Sequence, residues 1–460
     1  MTPGISTSRP GARRAWTAID RLAAVASIPA GAAGAYLGLL SLASRPTKRS
    51  AGDRSVRFAI VVPAYNEAGH IAVTVKSLLA LDYPVEHRRV VVVADNCTDD
   101  TAARARTAGA VVIERVDATR RGKGYALTDA FVEVLRDPWV DAIAVVDADT
   151  VVSANFLSAC ASRFAEGEHA AQVEYRVANA DASWRTELMA VAFACFHDVR
   201  SIGREHFGLS SGLRGNGMAF TRTALERVPH RAASLTEDLE HGIALGEHRI
   251  RVAYVHEAHV EADMPVDAST SASQRERWER GRATLRRSHG WPLVRDGIRR
   301  RDRVRVDLGA DLLLPPLADV AKATAASALA AAVVRVGRGR FGWSVVPAAV
   351  AVGGLSGHVA MGWHRSGTGR AGLVAVLRVP GYIRWKATLA GRKPASDGSL
   401  RSDGGSPAGS PAGPAGNDAE WVRTARPGEG IHAGMPGSFS VSTEMPMQDS
   451  PGTALSTGLR

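Results

Sequence analysis

Four short apolar runs, each ending in polar residues, constrain the fold of this chain most. They are FAIVVPA (58–64), RVVVVA (89–94), AVVIE (110–114) and DAIAVVDAD (141–149), and helix-like segments separate them. Uninterrupted apolar runs are typical of strands buried on both faces, as in a parallel sheet covered by helices. The pattern predicts an α/β domain over residues 58–263, with ligands bound beyond the carboxyl ends of its strands.

Acidic residues stand at the ends of three of these runs. Glu67 follows the first, Asp95 follows the second, and Asp147-Ala148-Asp149 ends the fourth. Since parallel strands share one carboxyl edge, we expect these carboxylates to converge on one crevice, where they repel one another unless a cation is bound. Mg²⁺ and Mn²⁺ take such oxygen ligands. The pattern predicts a divalent metal at Asp147 and Asp149, although the triplet alone is also typical of a solvated turn.

Three further motifs supply polar groups to the predicted crevice. RRGKG, which contains Lys123, opens a helix and can meet a diphosphate, or is simply a basic helix start on the surface. Asp238, in LTED, is either a carboxylate at the rim or a helix N-cap. In QRERW, Trp278 offers a flat platform for a sugar ring and Arg277 a cation for a phosphate.

Six motifs occur in order along the chain: VVPAYNE, VADNCTDDT, RRGKGYAL, VVDADT, SLTEDLEHG and QRERW. In these motifs, over about residues 58–290, the chain resembles the family-2 inverting glycosyltransferases. It is most similar to the membrane-bound branch that includes cellulose, chitin and hyaluronan synthases. The resemblance implies a GT-A-type, Rossmann-like α/β domain over 58–290, with a mostly parallel sheet and flanking transmembrane helices.

The resemblance also implies roles for individual residues. Asp238 would be the general base that deprotonates the acceptor hydroxyl, and Asp147 and Asp149 would hold Mg²⁺ or Mn²⁺. The residues that would bind the nucleotide sugar are Tyr65, Glu67, Asp95, Lys123, Asp147 and Arg277. Those that would contact the acceptor or product are Gly215, Asn216, Gln274 and Trp278.

A single base is sufficient for the implied reaction. Transfer from a nucleotide diphosphate builds negative charge on the leaving oxygen, which a divalent ion and Arg277 can stabilise. One carboxylate, Asp238, on the opposite face of the sugar is enough for direct in-line displacement, unlike the two-carboxylate hydrolases. The product is therefore predicted to have inverted anomeric configuration.

Apolar stretches on both sides of this domain predict a membrane protein. A basic N-terminal segment (1–21) precedes the 23 uncharged residues Leu22–Ser44, which are long enough to cross a bilayer as a helix. A cleaved signal peptide is the competing interpretation, but the basic lead is long and a small-residue cleavage site is missing. We expect a retained anchor.

The C-terminal part begins with a basic juxtamembrane segment (291–305) and a membrane region (306–363) of one or two helices. The first apolar stretch of that region is interrupted by Asp307, Asp311, Asp319 and Lys322. Mixed apolar and basic residues predict an interfacial helix over 370–393. The Gly-, Pro- and Ser-rich remainder, 394–460, predicts a disordered linker and tail.

Charge and cysteine content narrow the possible functions. Lys and Arg outnumber Asp and Glu by 57 to 46, a net charge of +11, and Arg275–Arg305 holds twelve arginines and four acidic residues. Such a block is typical of binding to nucleic acid, anionic lipid or a polyanionic substrate. Because apolar segments follow it directly, we favour the membrane surface and expect no nucleic-acid partner. Three cysteines without CxxC spacing exclude a zinc ribbon or disulfide scaffold.

These observations predict transfer of a sugar, from a UDP-linked donor, to a polysaccharide or lipid-linked acceptor in cell-surface polysaccharide biosynthesis. Few predicted spans favour a non-processive enzyme, or one that relies on a separate exporter. A processive synthase and a glycolipid or polyprenyl phosphate acceptor are the alternatives. A nucleotidyltransferase would carry a Gly-rich loop with Arg and Lys after the first strand, and PAYNEAGHI lacks one. Nucleotide sugars are cytoplasmic, which predicts a bacterial inner membrane enzyme whose catalytic domain faces the cytoplasm.

Overall fold

The computed structural model describes residues 10–46, 54–232, 234, 236–266 and 268–381, and for residues 10–12 and 268–277 it describes the backbone alone. The helices α1 to α14, in chain order, are Pro10–Ala43, Ile71–Leu79, Thr101–Thr107, Lys123–Val134, Phe156–Ala165, Trp184–Phe193, Arg200–His206, Arg222–Arg227, Glu237–Glu247, Ala268–Arg300, Arg303–Leu313, Leu317–Arg338, Val345–Ser366 and Gly369–Leu377. The strands β1 to β8 are Phe58–Ala64, Arg88–Asp95, Val111–Arg115, Ala142–Val145, Val151–Val152, Ala170–Val177, Met218–Thr221 and Val252–Ala262. A π-helical turn, Ala194–Val199, joins α6 to α7.

The eight strands form one sheet in the order β3-β2-β1-β4-β7-β6-β8-β5. The four predicted strands make its parallel half, where Val61 of β1 pairs with Val91 and Val145. In the other half β7 is antiparallel to β4 and β6, whereas β8 is parallel to β6 and antiparallel to β5. The predicted α/β class is confirmed, and the sheet is mixed, with antiparallel pairs in its second half. Loops reverse the chain so that β7 pairs with β4. A local pattern of apolar residues does not predict such an antiparallel pair.

Helices cover both faces of the parallel half. Alternate residues of β1 enter two separate cores, because successive side chains of a strand point to opposite faces. Ile60 and Val62 pack with Ile71 of α2 on one face, whereas Ala59 and Val61 pack with helices α4, α8 and α9 on the other. Burial on both faces is the reason that β1, β4 and most of β2 have uninterrupted apolar sequences, whereas β3, at the edge of the sheet, is partly exposed.

Three helices in the described part of the chain are long and apolar enough to cross a membrane. They are Arg13–Ala43 within α1, α12 and α13. The predicted stretch Leu22–Ser44 coincides with the end of α1, and the predicted region 306–363 contains α12 and almost all of α13. Pro29 lies inside α1, a position that membrane helices tolerate.

Small residues bring α1 and α13 into close contact, as in many membrane helix pairs. The close pairs are Gly31 with Pro347, Gly34 with Ala351 and Gly38 with Gly354. Because the residue numbers rise together, the two helices run in the same direction. At the C-terminal end of α1, Gly203 of α7 lies against the backbone of Leu40. The α/β domain therefore packs on the C-terminal end of this helix pair.

The first apolar stretch of the predicted membrane region divides at Pro315-Pro316. Its N-terminal part is α11, where Asp307 and Asp311 are buried and pair with arginines of α7. Its C-terminal part is α12, where Asp319 and Lys322 form an exposed pair of 2.8 Å in the first turns. Asp307 and Asp311 therefore belong to a helix that packs on the α/β domain. Asp319 and Lys322 lie at the N-terminal end of α12, a candidate membrane helix.

Several predicted segments fall partly or wholly outside the described residues. They are the first part of the basic segment (1–21), the C-terminal part of the interfacial helix (370–393) and the linker and tail (394–460). Within the described part, α14 covers Gly369–Leu377. The cysteines at positions 97, 160 and 195 are free thiols.

Candidate active site

The Asp147-Ala148-Asp149 turn leaves the carboxyl end of β4, at the centre of the sheet. Its backbone is held by Asn216, whose Oδ1 accepts from the Asp147 N–H at 3.1 Å and whose Nδ2 donates to Thr150 Oγ1 at 2.8 Å. Asn216 is fully buried. Its side chain therefore positions the turn, and its predicted contact with an acceptor stays a prediction.

Lys123 is the first residue of α4 and lies beside this turn. Its Nζ pairs with Asp147 Oδ1 and donates to the Gly215 carbonyl oxygen at 2.7 Å. Burial lowers the pKa of Lys123, but the nearby carboxylates of Asp147, Glu237 and Asp238 raise it more, so the net pKa lies above its usual value. The ammonium is therefore held charged where the RRGKG motif predicts a diphosphate.

Asp238 is the second residue of α9 and approaches the same point from the other side. A Cβ placed on Gly215 would lie 3.4 Å from Asp238 Oδ2 and 3.7 Å from Lys123 Nζ. Gly215 has φ +80, which is favourable only for glycine. A larger residue here would be strained and would fill the space between the two charged groups. The structure thus brings together four of the predicted site residues.

We call Lys123, Asp147, Asp149, Glu237 and Asp238 the acidic pocket. Burial raises the pKa of Asp147, and Asp149 and Asp238 raise it further against the opposing effect of Lys123. Burial also raises the pKa of Asp238, and raises that of Glu237 to about 8. The pocket therefore holds more carboxyl groups than its one ammonium can neutralise, which favours binding of a cation.

The loops after β1 and β2 are tied to each other at the edge of the pocket. Glu67 N–H donates to Thr101 Oγ1 at 2.8 Å, and Asn66 Oδ1 accepts from the Thr98 N–H at 2.8 Å. Tyr65, between these strand ends, is half-buried. The predicted nucleotide-binding residues of the first motif are therefore placed next to those of the second.

Asp95 is buried at the end of β2 in an ion pair. Its Oδ1 lies 2.7 Å from Arg115 Nη1, and Arg115 also contacts Asp117 and Asp129. The sequence analysis did not identify Arg115. Its position at the end of the third strand, next to the strand that ends in Asp95, could have indicated an ion pair between the two. The predicted contact of Asp95 with a base or ribose is untested, and this pair fixes its orientation.

The QRERW motif lies on α10. Gly281, one turn later, lies against the side chain of Thr236, two residues before Asp238. Trp278 is 40% exposed, and its ring centroid is 6.5 Å from that of Phe193. The side chains of Gln274 and Arg277 lie outside the described residues. The helix is therefore placed beside the predicted base, and the roles of these three residues remain predictions.

Comparison with known proteins identifies the domain. Residues 56–281 match the family model "Glycosyltransferase like family 2". The beta-monoglucosyldiacylglycerol synthase of Synechocystis sp. is 31% identical over 244 residues, which are 50% of this chain and 49% of that protein. The 4,4'-diaponeurosporenoate glycosyltransferase of Staphylococcus aureus is 38% identical over 90 residues, 20% of this chain and 23% of that protein. Residues 56–281 therefore belong to the family 2 glycosyltransferases.

The chain spans about half the length of the Synechocystis relative. Among solved structures, a mannosyltransferase from Pyrobaculum calidifontis, in complex with GDP-Man and Mn²⁺, has a TM-score of 0.45 and 20% identity. That likeness covers 74% of this chain and 97% of the mannosyltransferase. The predicted relation to the cellulose, chitin and hyaluronan synthase branch is not confirmed, whereas the glycosyltransferase family is.

Proposed function

We propose that this chain is a membrane-anchored, inverting glycosyltransferase that moves a sugar from a nucleotide diphosphate sugar to a lipid acceptor. One observation carries the proposal. At Gly215, the ammonium of Lys123 and the carboxylate of Asp238 approach the same space, with Asp147 paired to Lys123. A cation for the diphosphate and a base for the acceptor are thereby both held next to Gly215.

The donor would lie along the carboxyl ends of β1, β2 and β4. Tyr65, Glu67 and Asp95 would bind the base and ribose, and Lys123 would bind the diphosphate. Arg277 would stabilise the charge on the leaving oxygen. UDP is the expected nucleotide.

The donor set of the pocket fits Mg²⁺ or Mn²⁺ only in part. Asp147 and Asp149 offer hard oxygen ligands, but in the described residues no group of three or more His, Cys, Asp or Glu side chains could hold a metal. Asp147 and Asp149 are the residues that would hold the ion. When bound, the ion would neutralise charge that develops on the leaving group.

Asp238 would act as the general base. Burial raises its pKa, which makes the ionised carboxylate a stronger proton acceptor than an exposed aspartate. Its carboxylate would remove the proton of the acceptor hydroxyl while that oxygen attacks the anomeric carbon from the face opposite the diphosphate. One displacement inverts the configuration, and no covalent sugar–enzyme intermediate is needed.

Two relatives support a lipid acceptor over a polysaccharide. The Synechocystis protein is named for monoglucosyldiacylglycerol and the Staphylococcus protein for diaponeurosporenoate, both glycolipid activities. The close packing of α7 on the C-terminal end of α1 also brings the α/β domain to candidate membrane helices. A lipid acceptor requires neither a polymer channel nor an exporter. Since nucleotide sugars are cytoplasmic, the domain would face the cytoplasm at a bacterial inner membrane.

The test is the thermal stability of the full chain in detergent with UDP, GDP and their sugars, each with and without Mn²⁺. A ligand at a hundred times its Kd stabilises a protein by about 2.7 kcal/mol. We expect a metal-dependent shift with one nucleotide, and its loss in Asp149→Ala. Asp181→Ala, in an exposed turn, is the matched control and should keep the shift. No shift with any nucleotide would exclude a working donor site.

A further inference from the structure

A second group of buried charges lies between the acidic pocket and the candidate membrane helices. We call it the arginine cluster: Arg200, Arg204, Arg214 and Arg282, with Asp307 and Asp311 as their acidic partners. The arginines come from α7, the loop before β7 and α10, and both aspartates come from α11. Segments that are distant in sequence therefore place four guanidinium groups in one location.

The ring of Phe196 organises three of these guanidinium groups. Their central carbons lie 4.2 Å (Arg214), 4.8 Å (Arg200) and 5.9 Å (Arg282) from the ring centroid. Stacking on an aromatic face partly compensates an arginine for its lost hydration.

The acidic partners do not balance the cluster. Arg204 pairs with Asp307 at 2.6 Å, and Asp311 pairs with Arg200 and lies 3.4 Å from Arg282. Four arginines against two aspartates leave an excess of 4 − 2 = +2. Arg214 makes no ion pair with any described residue, and its hydrogen bonds go to the carbonyl oxygens of Leu213 and Ser211.

Donor groups in the cluster also lack acceptors. Nε of Arg200 and Nε of Arg214 are buried and have no hydrogen-bond partner among the described residues. Burial, reinforced by Arg204, Arg200 and Arg282, lowers the pKa of Arg214 well below its usual value. Burial, with Arg200 and Arg204, likewise lowers that of Arg282 to about 9. A bound anion would supply acceptors and relieve this repulsion.

The cluster adjoins both the predicted base and the membrane helices. Arg214 immediately precedes Gly215, whose added Cβ would contact Asp238, and each of Arg214 and Asp238 shifts the pKa of the other. On its other side, Tyr36 of α1 donates to Asp307 Oδ1 at 2.9 Å. An anionic group here would thus lie beside the acceptor oxygen, next to a helix that is long and apolar enough to enter the bilayer.

We infer that the acceptor is a membrane lipid whose headgroup carries a phosphate, and that Arg214, with Arg200 and Arg282, binds that phosphate. The inference rests on the proposed function and specifies its substrate class. Guanidinium groups bind phosphate through paired, charge-assisted hydrogen bonds. Arg204, which is fully paired with Asp307, holds α11 in place and is not part of this binding group.

The experiment compares three acceptors with the full chain in detergent micelles, at saturating donor. Diacylglycerol has a hydroxyl but no phosphate, phosphatidylglycerol has both, and a polyprenyl phosphate offers the phosphate itself. We expect transfer to a phosphate-bearing lipid and little to diacylglycerol, and the choice between the two phosphate lipids identifies the source of the phosphate. Transfer to diacylglycerol at an equal rate would overturn the inference.

Variants then locate the phosphate. Loss of one charge-assisted contact in Arg214→Gln should raise the acceptor KM on the order of ten- to a hundredfold, with the donor-induced thermal shift unchanged. Arg214→Lys should recover part of that loss. Arg251→Gln, which removes the pairs with Glu168 and with Glu205 of α7, is the control for a structural effect on the same helix.

The outcomes separate the two proposals. An equal rise of acceptor KM in Arg251→Gln, or no rise in Arg214→Gln, would show that the cluster is only structural. A donor-induced shift with transfer to diacylglycerol alone would overturn this inference and leave the proposed function intact. No donor-induced shift, or no transfer to any lipid, would overturn both.

Discussion

The acidic pocket and the arginine cluster are buried charge imbalances of opposite sign, separated by little more than Gly215. In the pocket, three carboxyl groups act on Lys123 and a fourth, Asp149, acts on Asp147, whereas in the cluster four arginines lie with two aspartates. Burying unbalanced charge is unfavourable unless a ligand compensates it. The difference is the basis of both proposals: the pocket would bind a cation together with the donor, and the cluster would bind an anion.

The two regions also differ in how they are built. The pocket is assembled from strand ends and helix starts of one sheet, so its groups lie at one edge of the α/β domain. The cluster is assembled across the boundary with α10 and α11, which lead into the candidate membrane helices. Changes in the pocket should therefore affect chemistry, and changes in the cluster should affect acceptor selection and stability.

The largest effect is expected for Asp238→Asn. The asparagine amide cannot take up the proton of the acceptor hydroxyl, so the rate of sugar transfer should fall on the order of 10²- to 10⁴-fold. Donor binding, measured by the nucleotide-induced thermal shift, should be nearly unchanged. Asp137→Asn, at an exposed ion pair with Arg89, should keep full activity. Transfer that survived in Asp238→Asn would mean that another group is the base.

A large loss of stability, without a direct chemical role, is expected for Asp311→Asn. This change removes the buried partner of Arg200 and leaves more positive charge in the cluster. Breaking such a buried pair costs about 3–5 kcal/mol of unfolding free energy. Chemical denaturation in detergent measures the loss, and Asp82→Asn, at an exposed pair with Arg54, should change little. Equal stability of the two variants would contradict a charge-driven role for Asp311.

A smaller, pH-dependent effect is expected for Glu237→Gln. Burial raises the pKa of Glu237 to about 8, so the folded chain binds this proton over a range in which the unfolded chain has released it. Stability therefore falls as pH rises from about 4.5 to about 8, by an amount on the order of 1–3 kcal/mol. The variant should match the unmodified chain near pH 4.5 and exceed it at pH 8. Parallel stability–pH curves would contradict this assignment.

Much of the α/β domain was predictable from the sequence. The predicted run 58–64 coincides with β1, and the other three runs overlap β2, β3 and β4. Strands β1 and β4 and most of β2 are buried on both faces, and that environment requires continuous apolar residues, whereas β3 is a partly exposed edge strand. The second half of the sheet was not predicted, because its antiparallel pairs depend on loops that reverse the chain. A local pattern of residue types predicts a strand, but it does not predict whether the strand beside it in the sheet runs parallel or antiparallel.

The candidate site was predictable to a similar extent. Residues next to strand ends, such as Asp147 and Asp149, were identified because parallel strands present them at one edge. Arg115 was missed because its ion-pair partners Asp95 and Asp129 lie in other segments, and Arg214 was missed because its contact with the ring of Phe196 forms only in the folded chain. The predicted base, Asp238, was found only through its motif, and its proximity to Lys123 came from the structure.

By itself, the sequence determined the parallel strands, the acidic residues at their ends and the apolar helices that can enter a membrane. All of these depend on local residue type and spacing. Only the tertiary structure decided which charges of the arginine-rich block are buried, and that α11 docks its aspartates on α7 rather than crossing a bilayer. The reason is that a charge is stabilised by its nearest partner in space. For Arg200 and Asp311, that partner lies 111 residues away along the chain.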